Sequence, residues 1–344
     1  MGGNALKNVQ TRRYKRDEYF ALKQKVLELL KPYGEKIGVP QEFPNKESFG
    51  DLDVLFVLQQ QQEQQKFNEN DMKIFLKDLF HSQEIILNGD VYSLDYEQFQ
   101  IDIICCKREN FDNCLVYLSY SDLGGLIGNI VNKIGLKYGQ QGLWMNVHTK
   151  EFDPTTTSTQ LILSINVEEI FSFLGYDYEI YKKGFENEED YFSWIKSSKY
   201  FRRIYFNEDY LNHANRSRVR KRPIYLKFLQ YLEDKNELDN RELISDDEKL
   251  LIRQHALKYF NKQHEYDLGI QQRQEKQLFR EKYSGKYFIQ HVPKTSIQHH
   301  MNNFQQQFGN EQQFHQWVLE NDQKTIENEI EKYLKSINDE KNNV

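Results

Sequence analysis

The run Asp51-Leu52-Asp53-Val54-Leu55-Phe56-Val57-Leu58 constrains this chain more than any other segment. It is apolar, of strand length and bounded by polar residues, which is the pattern of a buried strand. Residues i and i+2 of a strand share a face, so the Asp51 and Asp53 carboxylates project together, and Leu52, Val54 and Phe56 take the opposite face. Two carboxylates one strand step apart repel and raise each other's pKa unless a cation sits between them. Mg²⁺ is the hard cation that uses one or two carboxylates together with substrate phosphates. A third acid, Asp102, lies in Phe99-Gln100-Ile101-Asp102-Ile103-Ile104, flanked by isoleucines on a strand expected to be half buried. A lone buried aspartate costs several kcal/mol unless it is paired or coordinated. If the two strands are neighbours, the three acids can hold two metals ~3.5–4 Å apart, the geometry for in-line phosphoryl displacement. The plainer alternative is that Asp51 and Asp53 cap a strand at the surface and Asp102 bonds to nearby backbone.

Around this run the pattern is mixed. Residues 17–33 have helical spacing (Phe20, Leu22, Val26, Leu29, Leu30) and stop at Pro32. Residues 59–65, QQQQEQQ, are a low-complexity tract expected to form a solvated loop. MKIFLKDLFHS reads as an amphipathic helix, and EIILNGD, VYSLDYE and QFQIDIICC as strands, with Asn88-Gly89 as a turn. DLGGLIGNIVNK predicts a helix with Asp122 near its N-cap, and a turn, two strands and VEEIFSFLGYD follow. Beyond about residue 175 the spacing is almost wholly helical, and no 20–50-residue repeat recurs, which disfavours a solenoid. His299-His300 reads as a polar pair in a loop. The expectation is an α+β chain: a mixed β-sheet with flanking helices over 1–165, and an α-helical domain over 166–344 for acceptor or partner binding. A length of 344 residues, at roughly 150 per domain, agrees with two domains.

The 22 Tyr, 23 Phe and 3 Trp supply enough large side chain for a sizeable core, which excludes wholesale disorder. No stretch of ~18 apolar residues is present, so no membrane span is expected, and MGGNALKNVQTRRYKR carries no apolar signal core. Leu6 stands where myristoylation wants Ser or Thr. Cys105, Cys106 and Cys114 make a poor disulfide framework and match no zinc spacing. These features point to a reducing, intracellular setting, cytoplasmic or nuclear. With 46 Lys+Arg against 52 Asp+Glu, a net charge of -6 excludes a general basic coat, so nucleic acid would be met through a local patch. Arg216-Ser217-Arg218-Val219-Arg220-Lys221-Arg222 is such a patch; its alternatives are a solvated helix face or a nuclear-localisation signal. Gly124, Gly125 and Gly128 form no dinucleotide fingerprint.

With FGDLDVLFVL and QIDII on the page, the chain resembles the DNA-polymerase-β-like nucleotidyltransferase superfamily over roughly residues 35–150. That signature is a glycine/serine element, Asp-x-Asp on a strand and a third Asp on a neighbouring strand. GLIGNIVNKIGLKYGQQGL and NHANRSRVRKRPIYLKFL look like segments of a viral and protist branch of it. The resemblance implies a nucleotidyltransferase-type fold and transfer of NMP from an NTP to a hydroxyl, with an RNA 3′ end as the expected acceptor. It implies two Mg²⁺ (or Mn²⁺) ions, Asp51 and Asp53 binding both and Asp102 binding the one that activates the attacking hydroxyl. Ser48, Gly50, Lys46 and Lys137, with Lys133 nearby, would contact nucleotide phosphate. Arg216, Arg218, Arg220, Lys221 and Arg222 would contact a single-stranded RNA or other nucleic-acid acceptor. One departure stands out: the interval Pro40–Ser48 lacks the family's Gly-Ser pair, which grips the triphosphate. The alternative it opens is an inactive nucleotidyltransferase-fold subunit that scaffolds a nucleic-acid-processing complex.

Overall fold

A computed structural model of the chain describes residues 3–59, 68–148, 159–207, 209, 216, 220–235, 239, 241–289 and 291–342. The glutamine-rich tract from residue 60 onward, and Arg218, lie outside the described residues. The chain is a mixed α+β structure with a mixed sheet and a helical C-terminal region.

Two compact units divide it, 1–146 with 160–262, and 147–159 with 263–344. The helices of 166–262 therefore group with the sheets, and the division does not fall at residue 165. The physical reason is aromatic packing: Tyr120, just before the fourth helix, meets Phe185 edge-on and Tyr191 at a tilt, and Phe43 packs edge-on to Tyr191. Helical spacing shows that a segment has an apolar stripe, but not which surface covers it.

In the first unit β1 (Tyr14–Lys15) leads directly into α1 (Arg16–Leu30). Then follow β2 (Gly34–Gly38), β3 (Ser48–Phe49), β4 (Asp51–Leu58) and α2 (Glu69–Phe80). The Asn68 side chain accepts from the Asn70 and Asp71 amides and starts α2. Next come β5 (Ile85–Asn88), β6 (Val91–Tyr96), β7 (Phe99–Cys105), α3 (Phe111–Leu118) and α4 (Leu123–Lys133). The central sheet has the order β2-β4-β7-β6-β5; β4 and β7 are parallel, and the other pairs are antiparallel. One face packs on α1 and α2, burying Leu52, Val54, Ile101 and Ile103 against Leu22, Val26, Met72 and Leu76. Each fully buried aliphatic side chain contributes ~1.5–3 kcal/mol. The opposite face is covered at its far end by α3, where Leu55, Val57 and Ile104 meet Phe111 and Cys114. The near end of that face carries the acids.

A second sheet, ordered β10-β9-β8, is built from β8 (Lys137–Gly139), β9 (Gly142–Val147) and β10 (Thr159–Ser164). Helices α5 (Val167–Leu174), α6 (Tyr178–Lys183), α7 (Glu188–Lys196), α8 (Pro223–Asp234) and α9 (Asp246–Tyr259) complete the unit. The buried Arg253 of α9 donates to the Gly135 and Asn146 carbonyls.

Asp122 sits at the N-cap position of α4, as its spacing suggests, yet its side chain makes no capping bond. Its carboxylate, 5% exposed, pairs instead with Arg222 at the start of α8. The pair leaves no room for a side chain at position 125: a Cβ there would lie 2.2 Å from Asp122 Oδ1 and 2.7 Å from Arg222 Nη1. Removing one member of a mostly buried pair leaves an uncompensated charge. Asp122→Ala should therefore lower unfolding free energy by about 2 kcal/mol, discounted because Arg222 is partly solvated. Urea denaturation checks this; an unchanged midpoint would make the pair incidental.

The second unit packs α10 (Gln263–Lys282), α11 (Ile297–Gln306), α12 (Glu311–Glu320) and α13 (Gln323–Asn342) around Phe288, Phe304, Phe314, Val318 and Ile326. His299 and His300 lie in α11 and not in a loop; His300 Nδ1 is 3.2 Å from Tyr333 Oη. Among the described residues no single helix is long and apolar enough to cross a membrane. A bent pair, 108–118 with 123–133, passes that test only jointly, and Leu123, Leu126, Ile127 and Ile130 of it are buried in the core.

Candidate functional site

The register of β4 and β7 places Asp51 opposite Gln100 and Asp53 opposite Asp102. That of β6 and β7 extends both rungs, to Asp95 and Ser93 respectively. Registered residues on neighbouring strands share a face at a strand spacing of about 4.8 Å. One patch of sheet thus carries Asp51-Gln100-Asp95 on one rung and Asp53-Asp102-Ser93 on the next. The three acids singled out by spacing come from segments about fifty positions apart, and the parallel pairing brings them to one face.

Each carboxylate meets a different environment. Asp95 is buried, and its Oδ1 accepts from Ser82 Oγ and from the Gln83 and Glu84 amides at 2.7–2.9 Å. Its role is to anchor the β5 approach. Asp51 Oδ2 accepts from the Gly3 amide at 3.0 Å. Asp102 accepts from Gln100 Nε2 at 2.9 and 3.1 Å and from Ser93. Burial nevertheless pushes Asp102 up to about 6, with Asp51 adding to the rise and the Ser93 and Gln100 bonds opposing it. Asp53 is held well above the usual carboxylate range, first by burial, then by repulsion from Asp51, Asp102 and Glu42. Lys46 opposes this, but its ammonium is 2.5 Å from Glu42 and lies over the Phe49 ring. The patch is short of positive charge.

Hard carboxylate oxygens in this number suit Mg²⁺ or Mn²⁺. The electrostatic deficit at Asp53 fits a cation there. As the side chains stand, among the described residues no group of three or more His, Cys, Asp and Glu is close enough together to hold a metal ion. Asp51 is turned to Gly3 and Asp102 to Gln100.

A cavity of about 390 Å³ opens beside Phe49, lined by Arg16, Lys23, Tyr19, Glu42, Tyr120 and Phe185 among others. Tyr19 senses Glu42, Asp53 and Asp51 electrostatically, and they help to raise its phenol beyond what burial does. The other expected phosphate contacts are dispersed. Ser48, on β3, bonds to the Arg13 guanidinium, and Gly50 is a buried residue against the Gly3 backbone. Lys137 lies on β8 with its ammonium on Asn132, and Lys133 ends α4. Of the basic patch, Arg220 and Lys221 are exposed, Arg216 is half-buried and Arg222 is committed to Asp122.

Gln100, Ser93 and the Gly3 amide escape sequence reasoning. The first two carried a usable signal, since Gln100 is two positions from Asp102 on the same strand face. The Gly3 amide carried none. In comparison with known proteins, the chain matches no protein-family model and no curated protein.

Proposed function

We propose that this chain is a metal-dependent nucleotidyltransferase, moving a nucleoside monophosphate from an NTP to a hydroxyl acceptor, with an RNA 3′ end as the acceptor. The observation that carries the reading is the Asp53–Asp102 rung with Asp51 on the same face. Three carboxylates crowded on a half-buried sheet face cost folding energy that nothing in the architecture requires. The resemblance in FGDLDVLFVL and QIDII supports the same chemistry, and the cavity at Tyr19 and Glu42, which sense the acids without any of the three lining it, falls in the ordinary range for a small-molecule site, ~300–1,000 Å³.

In this reading Asp51 and Asp53 hold two divalent cations and Asp102 completes the set on the acceptor side. The bound cations supply positive charge for the triphosphate and for the attacking and leaving oxygens. Tyr19, Tyr120 and Phe185 offer apolar walls to a nucleoside, and Arg16 and Lys23 offer cations to its phosphates. The acceptor oxygen bonds to the α-phosphorus, the α–β bridging bond breaks, pyrophosphate leaves, and the hydroxyl proton passes to Asp102 or to solvent. Arg216, Arg220 and Lys221 are the described cations of the patch that would follow an acceptor backbone.

The test is transfer of each labelled NTP onto a single-stranded RNA oligonucleotide with Mg²⁺ or Mn²⁺, wild type beside Asp51→Ala. Extension by the wild type alone is expected. A second reading, a scaffolding subunit without catalysis, is favoured by the missing Gly-Ser in the interval before Ser48. Absence of extension together with absence of Mg²⁺-dependent NTP binding in calorimetry would install it.

A further inference from the structure

Residues 3–13 belong to no helix or strand, and none of them is fully buried. Even so, they are tied down at several points. The Gly3 amide donates to Asp51 Oδ2 at 3.0 Å, and the Ala5 amide donates to Gln100 Oε1 at 2.9 Å. The Lys7, Asn8 and Val9 amides and Asn8 Nδ2 all converge on the Glu84 carboxylate at 2.8–3.2 Å. Arg12 N donates to Gln98 O, and Arg13 grips Ser48. The segment therefore runs from the head of β4, past β7, to the residue before β5, and returns to β1.

Its contacts select the acidic face. Gly3 reaches Asp51 directly. Ala5 reaches Asp102 through Gln100, a buried side chain whose carbonyl is held by the Ala5 amide so that its NH₂ points at the Asp102 carboxylate. Gly3 is fitted tightly: φ is +84°, and a Cβ there would lie 2.2 Å from Gly50 O. An N–H dipole on Asp51 offers the carboxylate a partial positive charge, which is what a cation would offer in full.

We infer that the 3–9 segment is a displaceable strap whose Gly3 amide occupies Asp51 in place of a cation, so that strap docking and divalent-cation binding compete at that carboxylate. The inference rests on the proposed reading of Asp51 as a metal ligand. A cation taken up on the Oδ2 that the Gly3 amide occupies would carry its own ligand shell and would displace that amide. The strap can leave at low cost to the fold, because the Gly3, Ala5, Lys7, Asn8 and Val9 amides donate to the side chains of Asp51, Gln100 and Glu84, outside the ladder of the sheet. Glu84, held below the usual carboxylate range by the strap amides, is the hinge end at which the segment stays tethered.

The experiment uses the full chain, with Mn²⁺ as the probe. Hydrogen–deuterium exchange over residues 3–9 is followed with and without Mn²⁺, and Mn²⁺ binding is measured by electron paramagnetic resonance. Saturating Mn²⁺ should speed exchange of this segment about tenfold in the wild type. Gly3→Ala, whose Cβ would meet Gly50 O and so lift residue 3 without touching a carboxylate, should bind Mn²⁺ at least ~3-fold more tightly, because the competitor is gone. Mn²⁺ binding with unchanged or slowed exchange would overturn the strap and leave the metal site standing. Failure of both proteins to bind Mn²⁺ would bring down the underlying reading, and the strap with it. If Gly3→Ala fails to fold, the wild-type exchange decides alone.

Discussion

Asp53→Asn should abolish transfer and, at the same time, raise the melting temperature of the metal-free protein at pH 7.5. The two effects have one cause. Asp53 lies on β4 between the fully buried Leu52 and Val54, in register with Asp102 and one strand step from Asp51. Burial and three neighbouring acids hold its carboxyl well above the ordinary range, so ionising it at neutral pH works against the fold. Asparagine keeps the shape and removes the charge. A rise of a few degrees in Tm is expected, the scale of an ordinary single substitution. On the proposed reading, in which Asp53 would hold both cations, transfer should fall by ~10³-fold or more, because an amide does not replace a carboxylate ligand. Millimolar Mg²⁺ should then raise the wild-type Tm and leave that of Asp53→Asn unmoved. Thermal scans of both proteins with and without Mg²⁺ check the stability half; the oligonucleotide assay checks the other. A variant that is less stable than the wild type without metal would mean that the carboxylate has a local partner and no functional charge.

The shared face of the acids is legible in the sequence. Alternation in DLDVLFVL fixes the face of Asp51 and Asp53 because a strand has period two, and Asp102 between isoleucines follows the same rule. The short strands β2 (Gly34–Gly38) and β3 (Ser48–Phe49) carry too few residues for a pattern to show, whereas the identities of α1, β4, α2, β5, β6 and β7 follow from the same periodicities. Pairing does not: alternation shows which face a residue takes, never which strand lies alongside, so the parallel β4–β7 ladder had to be seen. The cavity was hidden for a similar reason, since α1, the 39–44 loop, Tyr120 and residues 183–186 meet only in the folded chain. The strap was hidden more deeply. All but one of the hydrogen bonds described for it leave from backbone amides, and an amide has no sequence signature. Asp122 shows a local rule displaced by a distant partner, its capping position used for an ion pair with Arg222 a hundred residues away.

The second large effect is a dependence on pH that runs against the habit of most proteins. For a carboxyl whose folded-state pKa is raised, the folded chain binds more protons than the unfolded one between the two values. Stability then declines with rising pH across that window. Asp102 opens the window near ~3.9, its unfolded value, and closes it near about 6, while Asp53 extends it upward. As a coupled set they titrate together, so the prediction concerns the sum. The metal-free protein should lose roughly 2–3 kcal/mol of unfolding free energy between pH 4.5 and 7.5. Carboxyls held low, such as Glu84 beside the strap amides and Glu248 beside the Ser245 amide and Arg202, act in the opposite sense. Their contribution is present above the unfolded value and vanishes only as pH falls below it, so they bound the maximum on its acid side without masking the decline. Urea midpoints at half-unit steps of pH give the curve. Mg²⁺ should flatten its neutral limb, because a bound cation favours the ionised carboxylates that the bare sheet face disfavours. Asp102→Asn should flatten it in part with no metal present. A curve that rises steadily from pH 4.5 to 7.5 would show that the acids on β4 and β7 are satisfied within the fold, and would remove the electrostatic reason for placing a cation among them.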